Sequence, residues 1–345
     1  MPRSLMAVAP GQFEFVEYDE PPLAPDQVRV VSEFAAAKHG TELAIASGKS
    51  PYANRRYDPQ QGLFLPMPEG QAAIGFPFQV GNMTLGRVAE VGSTATKFRV
   101  GDRVMGHLGF RETHTVSENW LENAPVDLSW QQAFCSDPAD VALATVRDAD
   151  IRIGDTVAIF GLGAIGLFAV QIARLSGARW VVAVDPLANR RALAEQFGAN
   201  LTLDPTACDV SMEVRRRLPR PGVDRSIEAS ASHAALHEAI RVLGMRGRCC
   251  AVGFYQGEAC GLRLGEEAHT NAVDLHFSRS DTIPPRDCPL WDRARLLEAT
   301  FELLESGALD CEGLIDPIVP FEEADDTYRF IAAHPEACIK LGVTF

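Results

Sequence analysis

DTVAIFGLGAIGLFAVQIARLSGARWVVAVD, residues 155–185, begins with the apolar run Val157-Ala158-Ile159-Phe160, the length of a buried parallel strand. The run breaks at Gly161-Leu162-Gly163-Ala164-Ile165-Gly166, a G-x-G-x-x-G, and continues as a helical pattern through Leu175. A second strand, Trp180 to Val184, ends in Asp185. In such a unit one glycine makes a tight turn, one lets backbone approach a pyrophosphate, and one packs helix on strand. The helix start at Ala164 and Ile165 offers N–H groups and a positive dipole end to phosphates. An acid 19 positions after Gly166 accepts ribose hydroxyls and obstructs a 2′-phosphate. Strand, glycines, helix, strand and acid arrive in order. The expected cofactor is therefore NAD, held by Gly161, Gly163, Ala164, Ile165, Gly166 and Asp185; a flavin or adenosylmethionine unit is the competing reading.

Outward from this stretch, helix and strand keep alternating from about residue 138. Arg190 to Phe197 reads as helix, Leu201 to Leu203 as strand and Met212 to Arg217 as helix. Val223 to Glu228 reads as strand, Ala234 to Leu243 as helix and Cys249 to Phe254 as strand. That is a doubly wound parallel sheet, an α/β class. Arg293 to Ser306 is an amphipathic helix ending at Gly307, and Ile339 to Phe345 reads as a last strand.

The first part has another rhythm. Gln27 to Val31, Gly86 to Gly92 and the segment around Phe98 to Val104 are short strands separated by Gly, Pro and Asp turns, the pattern of a small β-barrel. Lys38-His39-Gly40-Thr41-Glu42-Leu43 reads as a loop entering a short helix. Residues 47–79 are rich in Gly, Pro, Asn and Gln and suggest either a surface excursion or a substrate lid.

Composition narrows the classes. The 345 residues are 46% hydrophobic and 23% charged, enough for two globular domains. The net charge of −14 argues against nucleic acid or anionic membrane as a partner. Thr156 to Ala173 is uncharged and long enough to raise the question of a membrane span, but its glycines split it into strand and helix. Eight irregularly spaced cysteines with no C-x-x-C suggest neither a disulfide framework nor a thiolate zinc site. With no signal-peptide pattern at the start, a cytoplasmic location is expected.

His39-Gly40-Thr41-Glu42, Gly81-Asn82-Met83-Thr84-Leu85-Gly86, Val100-Gly101-Asp102-Arg103-Val104, the glycine turn with Asp185, Ile227-Glu228-Ala229-Ser230 and Gly247 to Gly253 occur in one order. This order resembles the medium-chain dehydrogenase/reductases over essentially the whole chain. The resemblance implies a chaperonin-10 (GroES)-like catalytic domain at 1–137, a Rossmann domain at 138–280 and a return segment at 281–345. It also implies a homodimer acting on a small-molecule substrate.

The zinc enzymes of that family carry Cys, a His-Glu pair and a later acid or Cys around a catalytic metal. Here His39 stands at the first position, Asn82 and Met83 replace the pair, and Ser136 or Asp137 falls at the last. Asn and Met are poor zinc ligands, and no cysteine precedes residue 135, so no metal is expected, a His39/Asp137 remnant being the alternative. The sequence looks like the zinc-free branch related to bacteriochlorophyllide (hydroxyethyl) dehydrogenase, notably at Gly253-Phe254-Tyr255 and Trp291-Asp292-Arg293.

Without zinc, a side chain must move the alcohol proton. His39 is the candidate acid/base, with Lys38 second, Thr41 as relay or helix cap, and Glu42 as contact or support. Asp137 can hold His39 or meet a substrate hydroxyl, and Asn82 can donate to a substrate oxygen. Arg190 is a candidate to stack on adenine, and the resemblance implies Lys340 at the pyrophosphate. The expected reaction is NAD-dependent interconversion of a secondary alcohol, of polyol, sugar or cyclitol type, with its ketone. An enone or quinone reductase and a non-catalytic NAD-binding protein are the alternatives.

Overall fold

The computed structural model describes residues 1–282 and 286–345; the side chain of His39 lies outside the described set. They form two compact units, residues 1–134 with 314–345, and residues 135–313. In chain order the first unit begins β1 (Arg3–Ala9), β2 (Gln12–Glu17), β3 (Gln27–Ala36), α1 (His39–Ala46), β4 (Arg55–Asp58), β5 (Leu63–Pro66) and β6 (Phe78–Gln79). It continues with β7 (Met83–Val91), β8 (Arg103–Gly106), β9 (Thr113–Ser117) and β10 (Leu121–Asn123), and then helix α2 (Trp130–Asp148) starts.

The second unit holds β11 (Thr156–Phe160), α3 (Ala164–Leu175), β12 (Trp180–Val184), α4 (Ala188–Gln196), β13 (Leu201–Leu203), α5 (Val210–Arg217) and β14 (Val223–Glu228). Next come α6 (His233–Arg241), β15 (Leu243–Ala251), α7 (Glu267–Thr270), β16 (Asp274–Phe277) and α8 (Arg293–Glu305). Its six strands are all parallel, in the order β13-β12-β11-β14-β15-β16. Every residue of β11 is buried, as a strand covered on both faces requires. The order reverses between β11 and β14, the place where such sheets open a crevice beyond the strand ends. Side chains of Asp209, Ser232 and Asp292 cap α5, α6 and α8.

The chain then returns to the first unit through β17 (Ile318–Pro320), α9 (Ala324–Ala333) and β18 (Gly342–Thr344). There one sheet runs β2-β1-β6 and a larger one β10-β8-β7-β3-β18-β17, with β9 also on β3. This is the GroES-like arrangement. Strand β3 serves two cores: Val28 and Val30 pack with Val88, Val104 and Leu121, while Ala35 packs with Phe13, Phe110 and Tyr328. Its register against β7 slips between Ser32 and Phe34, a bulge that lets one strand bend from one core to the other.

Several readings change. The first unit resumes at Leu314 rather than 281, because among the described residues 286–313 group with the second unit. Arg293 of α8 pairs with Asp140 at 2.5 Å, and Asp310 exchanges two hydrogen bonds with the Gln171 side chain. The strand expected at Cys249–Phe254 starts at Leu243, and a sixth strand, β16, follows. The strand expected around Phe98–Val104 lies at β8, and the last strand is limited to β18. Residues 47–79 are not featureless. β4 and β5 form a hairpin whose turn is set by Asp58, which accepts from the N–H groups of Gln60 and Gln61. Among the described residues no helix is long and apolar enough to cross a membrane.

Candidate active site

In the second unit, β11 delivers the chain to the glycine turn and α3 leaves it. Gly161 takes φ +85°, and a Cβ there would meet Ser230 at 2.6 Å. At Gly166 a Cβ would lie 1.9 Å from the Gly161 carbonyl oxygen, so only glycine brings helix and strand this close. Gly163 differs: a Cβ there would meet nothing within 4 Å. It is the N-cap of α3, which begins at Ala164 and Ile165 and whose first N–H groups have no side-chain cap. The space and the donors suit a pyrophosphate.

Asp185 follows β12 and is 4% exposed. Its Oδ2 accepts the Leu162 N–H at 2.8 Å and its Oδ1 the Leu187 N–H at 2.9 Å. The acid is thereby fixed to the glycine turn, each oxygen keeping a lone pair for a ribose hydroxyl. Arg190 lies 3.9 Å from it. Arg191, which sequence reading missed, donates to the Asp185 carbonyl and pairs with Asp204 at 3.3 Å. A cavity of about 520 Å³ bordered by Gly154, Thr156, Arg179 and Asp224 lies at the opposite, N-terminal edge of the sheet and holds none of the expected residues.

In the first unit, α1 starts at His39 with Lys38 as N-cap, so Thr41 is not the cap; its N–H bonds back to the Lys38 carbonyl at 2.9 Å. The Glu42 carboxylate is 9% exposed and engaged on both oxygens. Oε1 accepts the Lys38 N–H at 2.7 Å; Oε2 accepts the Gly81 N–H at 3.1 Å and the Tyr328 phenol. Glu42 thus ties the start of α1 to the turn that carries Asn82. The Asn82 N–H is held by the Ala36 carbonyl, whereas its side-chain Nδ2 is buried with no hydrogen-bond partner among the described residues. Met83 opens β7 and is 4% exposed. Lys340 is buried, its ammonium donating to the Ala37 carbonyl at 2.7 Å. Asp137 lies half-buried on α2 in the second unit, where its charge bears on Asp140.

The amide of Asn82 and the thioether of the buried Met83 are poor ligands for zinc, which takes imidazole nitrogen, thiolate sulfur and carboxylate oxygen. His114, on β9, is 4% exposed and held neutral; burial, with Arg111 adding, depresses its pKa to about 3. His269 is exposed on α7 in the second unit.

A profile described as "Zinc-binding dehydrogenase" matches residues 164–277, which include none of positions 39, 82, 83 and 137. The chain is similar to D-guloside 3-dehydrogenase of Escherichia coli, 39% identical over 99% of this chain and 100% of that protein. Its fold is similar to that of 2R,3R-butanediol dehydrogenase from Bacillus subtilis, with a TM-score of 0.77, 22% identity and full coverage of both chains. It is also similar to a zinc-binding dehydrogenase from Sinorhizobium meliloti solved bound to NADP, with a TM-score of 0.74 and 24% identity over 100% of this chain and 99% of that one. With these similarities running the length of the sequence, the chain belongs to the medium-chain dehydrogenase/reductase superfamily and is an alcohol dehydrogenase-like oxidoreductase.

Proposed function

We propose that this chain interconverts a secondary hydroxyl of a sugar-like or polyol substrate and its ketone, using NAD and no zinc. The observation that carries the cofactor reading is the Asp185 carboxylate seated on the Leu162 N–H, which puts a fixed negative charge beside the glycine turn. That charge favours two ribose hydroxyls and opposes a 2′-phosphate. A nicotinamide dinucleotide is further supported by the NADP-bound relative, and a sugar hydroxyl by the D-guloside 3-dehydrogenase.

A dinucleotide held by the glycine turn and Asp185 would supply the acceptor for the hydride of the carbinol carbon. The chain must then take a proton from the alcohol oxygen and hold that oxygen in place. His39, the first residue of α1, is our general acid/base. Thr41 relays its proton, and Lys38 is the further polar candidate beside it. The orphaned Asn82 amide donates to a substrate oxygen, which relieves the cost of a buried donor without a partner. Glu42, with both oxygens engaged, holds this loop rather than touching substrate. A homodimer formed by continuing the sheet is supported by the edge position of β16, where Phe277 is 61% exposed.

The test combines metal analysis of undialysed protein, NADH and NADPH titrations, and NAD reduction with methyl glycosides, polyols and cyclitols in the presence of a chelator. NADH should bind more tightly than NADPH and turnover should survive chelation. His39→Ala should cut turnover by ~10² while leaving NADH binding unchanged. Stoichiometric zinc with chelator-sensitive turnover would overturn the zinc-free mechanism, and activity on enones alone would make the protein a reductase.

A further inference from the structure

Glu228 ends β14 and is fully buried, and the mechanism above makes no use of it. A carboxylate without solvent needs hydrogen-bond donors, and this one gathers them from two loops. Its Oε1 accepts the Ser230 N–H at 2.8 Å and the Ser230 hydroxyl; its Oε2 accepts the Ala231 N–H at 3.2 Å and the phenol of Tyr255. The Glu228 carbonyl accepts the Val252 N–H at 2.8 Å. Ser230 and Ala231 belong to the loop after β14, and Tyr255 to the loop after β15.

These loops stack backbone to backbone on the glycine turn. A Cβ on Gly161 would meet the Ser230 nitrogen at 2.6 Å, and a Cβ on Gly253 would meet the Ala231 nitrogen at 2.5 Å. Ala231 itself holds φ +61°, a costly conformation for a residue with a Cβ. The turns after β11, β14 and β15 therefore share one geometry, tied at Glu228. Burial raises the Glu228 pKa, and burial together with the nearby carboxylate raises that of Tyr255, so the phenol keeps the proton it donates.

Asp185 fixes the adenosine end beyond β12, on one side of the switch point between β11 and β14. The other half of a dinucleotide then runs over the ends of β14 and β15. Resting on the cofactor reading above, we infer that Glu228 and Tyr255 form a latch that positions the loops beneath the nicotinamide half of the site. Both are positioning residues: they set where the 229–231 and 252–256 backbones lie.

The test is Tyr255→Phe, which keeps the ring stacked on His233 and removes only the phenol donor. Affinities for NADH and for ADP-ribose, which lacks nicotinamide, are measured beside the thermal midpoint. NADH affinity should fall about tenfold, as for one lost hydrogen bond to a charged group, with ADP-ribose affinity unchanged and the fluorescence shift of bound NADH reduced. Glu228→Gln, which places a donor among donors, should shift the same two affinities in the same direction. A lower midpoint with both affinities unchanged, or both weakened equally, would reduce the latch to a packing contact and overturn the inference. A wild-type chain that binds ADP-ribose and NADH equally tightly would overturn it as well, without touching Asp185. One that binds neither removes the cofactor reading and this inference together.

Discussion

The phenol of Tyr328 donates to the carboxylate of Glu42 across 286 residues of sequence, and both groups are buried. The bond joins α9 of the return segment to α1, and through Gly81 to the turn that carries Asn82. Tyr328→Phe removes one donor from a buried acid and should destabilise the first unit by about 1–3 kcal/mol. Urea unfolding followed by probes placed in each unit checks this. An unfolding midpoint unchanged in the first unit would mean that the bond contributes nothing net.

Asp185→Ala should weaken NADH binding at least tenfold, since hydrogen bonds to a charged acceptor contribute about 1.5–3 kcal/mol. NADPH binding should change far less or improve. Equal losses for both nucleotides in a fluorescence titration would mean that Asp185 acts only by holding Leu162 and Leu187.

Two glycine substitutions separate folding from binding. Gly166→Ala places a methyl group 1.9 Å from the Gly161 carbonyl oxygen and should cost about 1–3 kcal/mol of stability as well as cofactor affinity. Gly163→Ala meets no protein atom and should fold normally, yet bind NADH poorly because its methyl occupies the pyrophosphate space. Thermal melts beside NADH titrations distinguish the two; normal binding by Gly163→Ala would move the pyrophosphate elsewhere.

His114 gives the protein an acid sensitivity. Its pKa falls from an ordinary 6.5 to about 3 on folding, so below 6.5 the unfolded chain binds a proton that the folded chain refuses. The stability this group confers is complete above pH 6.5 and is lost as the pH falls towards 3, by about 1.4 kcal/mol per pH unit. His114→Gln should flatten that part of the stability–pH curve by one proton. An unchanged slope between the two would show that the imidazole titrates normally.

What could be read in the sequence was local. The glycine turn, Asp185 and the strands that flank them declare themselves because period, turn and acid lie within 31 consecutive residues. That Asn82 and Met83 stand where the zinc enzymes carry a His-Glu pair is a local reading of the same kind. Helix α2 was hidden by Pro138 within it, and β16 by its length and its exposed edge. Strand β18 lies within the last strand read at Ile339 to Phe345, but its place between β3 and β17, and β17 itself, come only from pairing, which no local pattern contains. The same holds for partners: Glu42 and Glu228 were visible as acids, but Tyr328 and Tyr255 enter only when distant segments meet. Residues 283–285, which carry Ile-Pro-Pro, lie outside the described residues.

Strand β18 lies between β3 and β17, and the phenol that holds Glu42 stands on α9. During synthesis, residues 135–313 possess all six of their parallel strands before Leu314 leaves the ribosome. The barrel does not: its central strand waits for a neighbour encoded more than 300 positions later. The nucleotide-binding unit is therefore first to mature on the nascent chain, and the start of α1 at His39 and the turn that carries Asn82 are finished last.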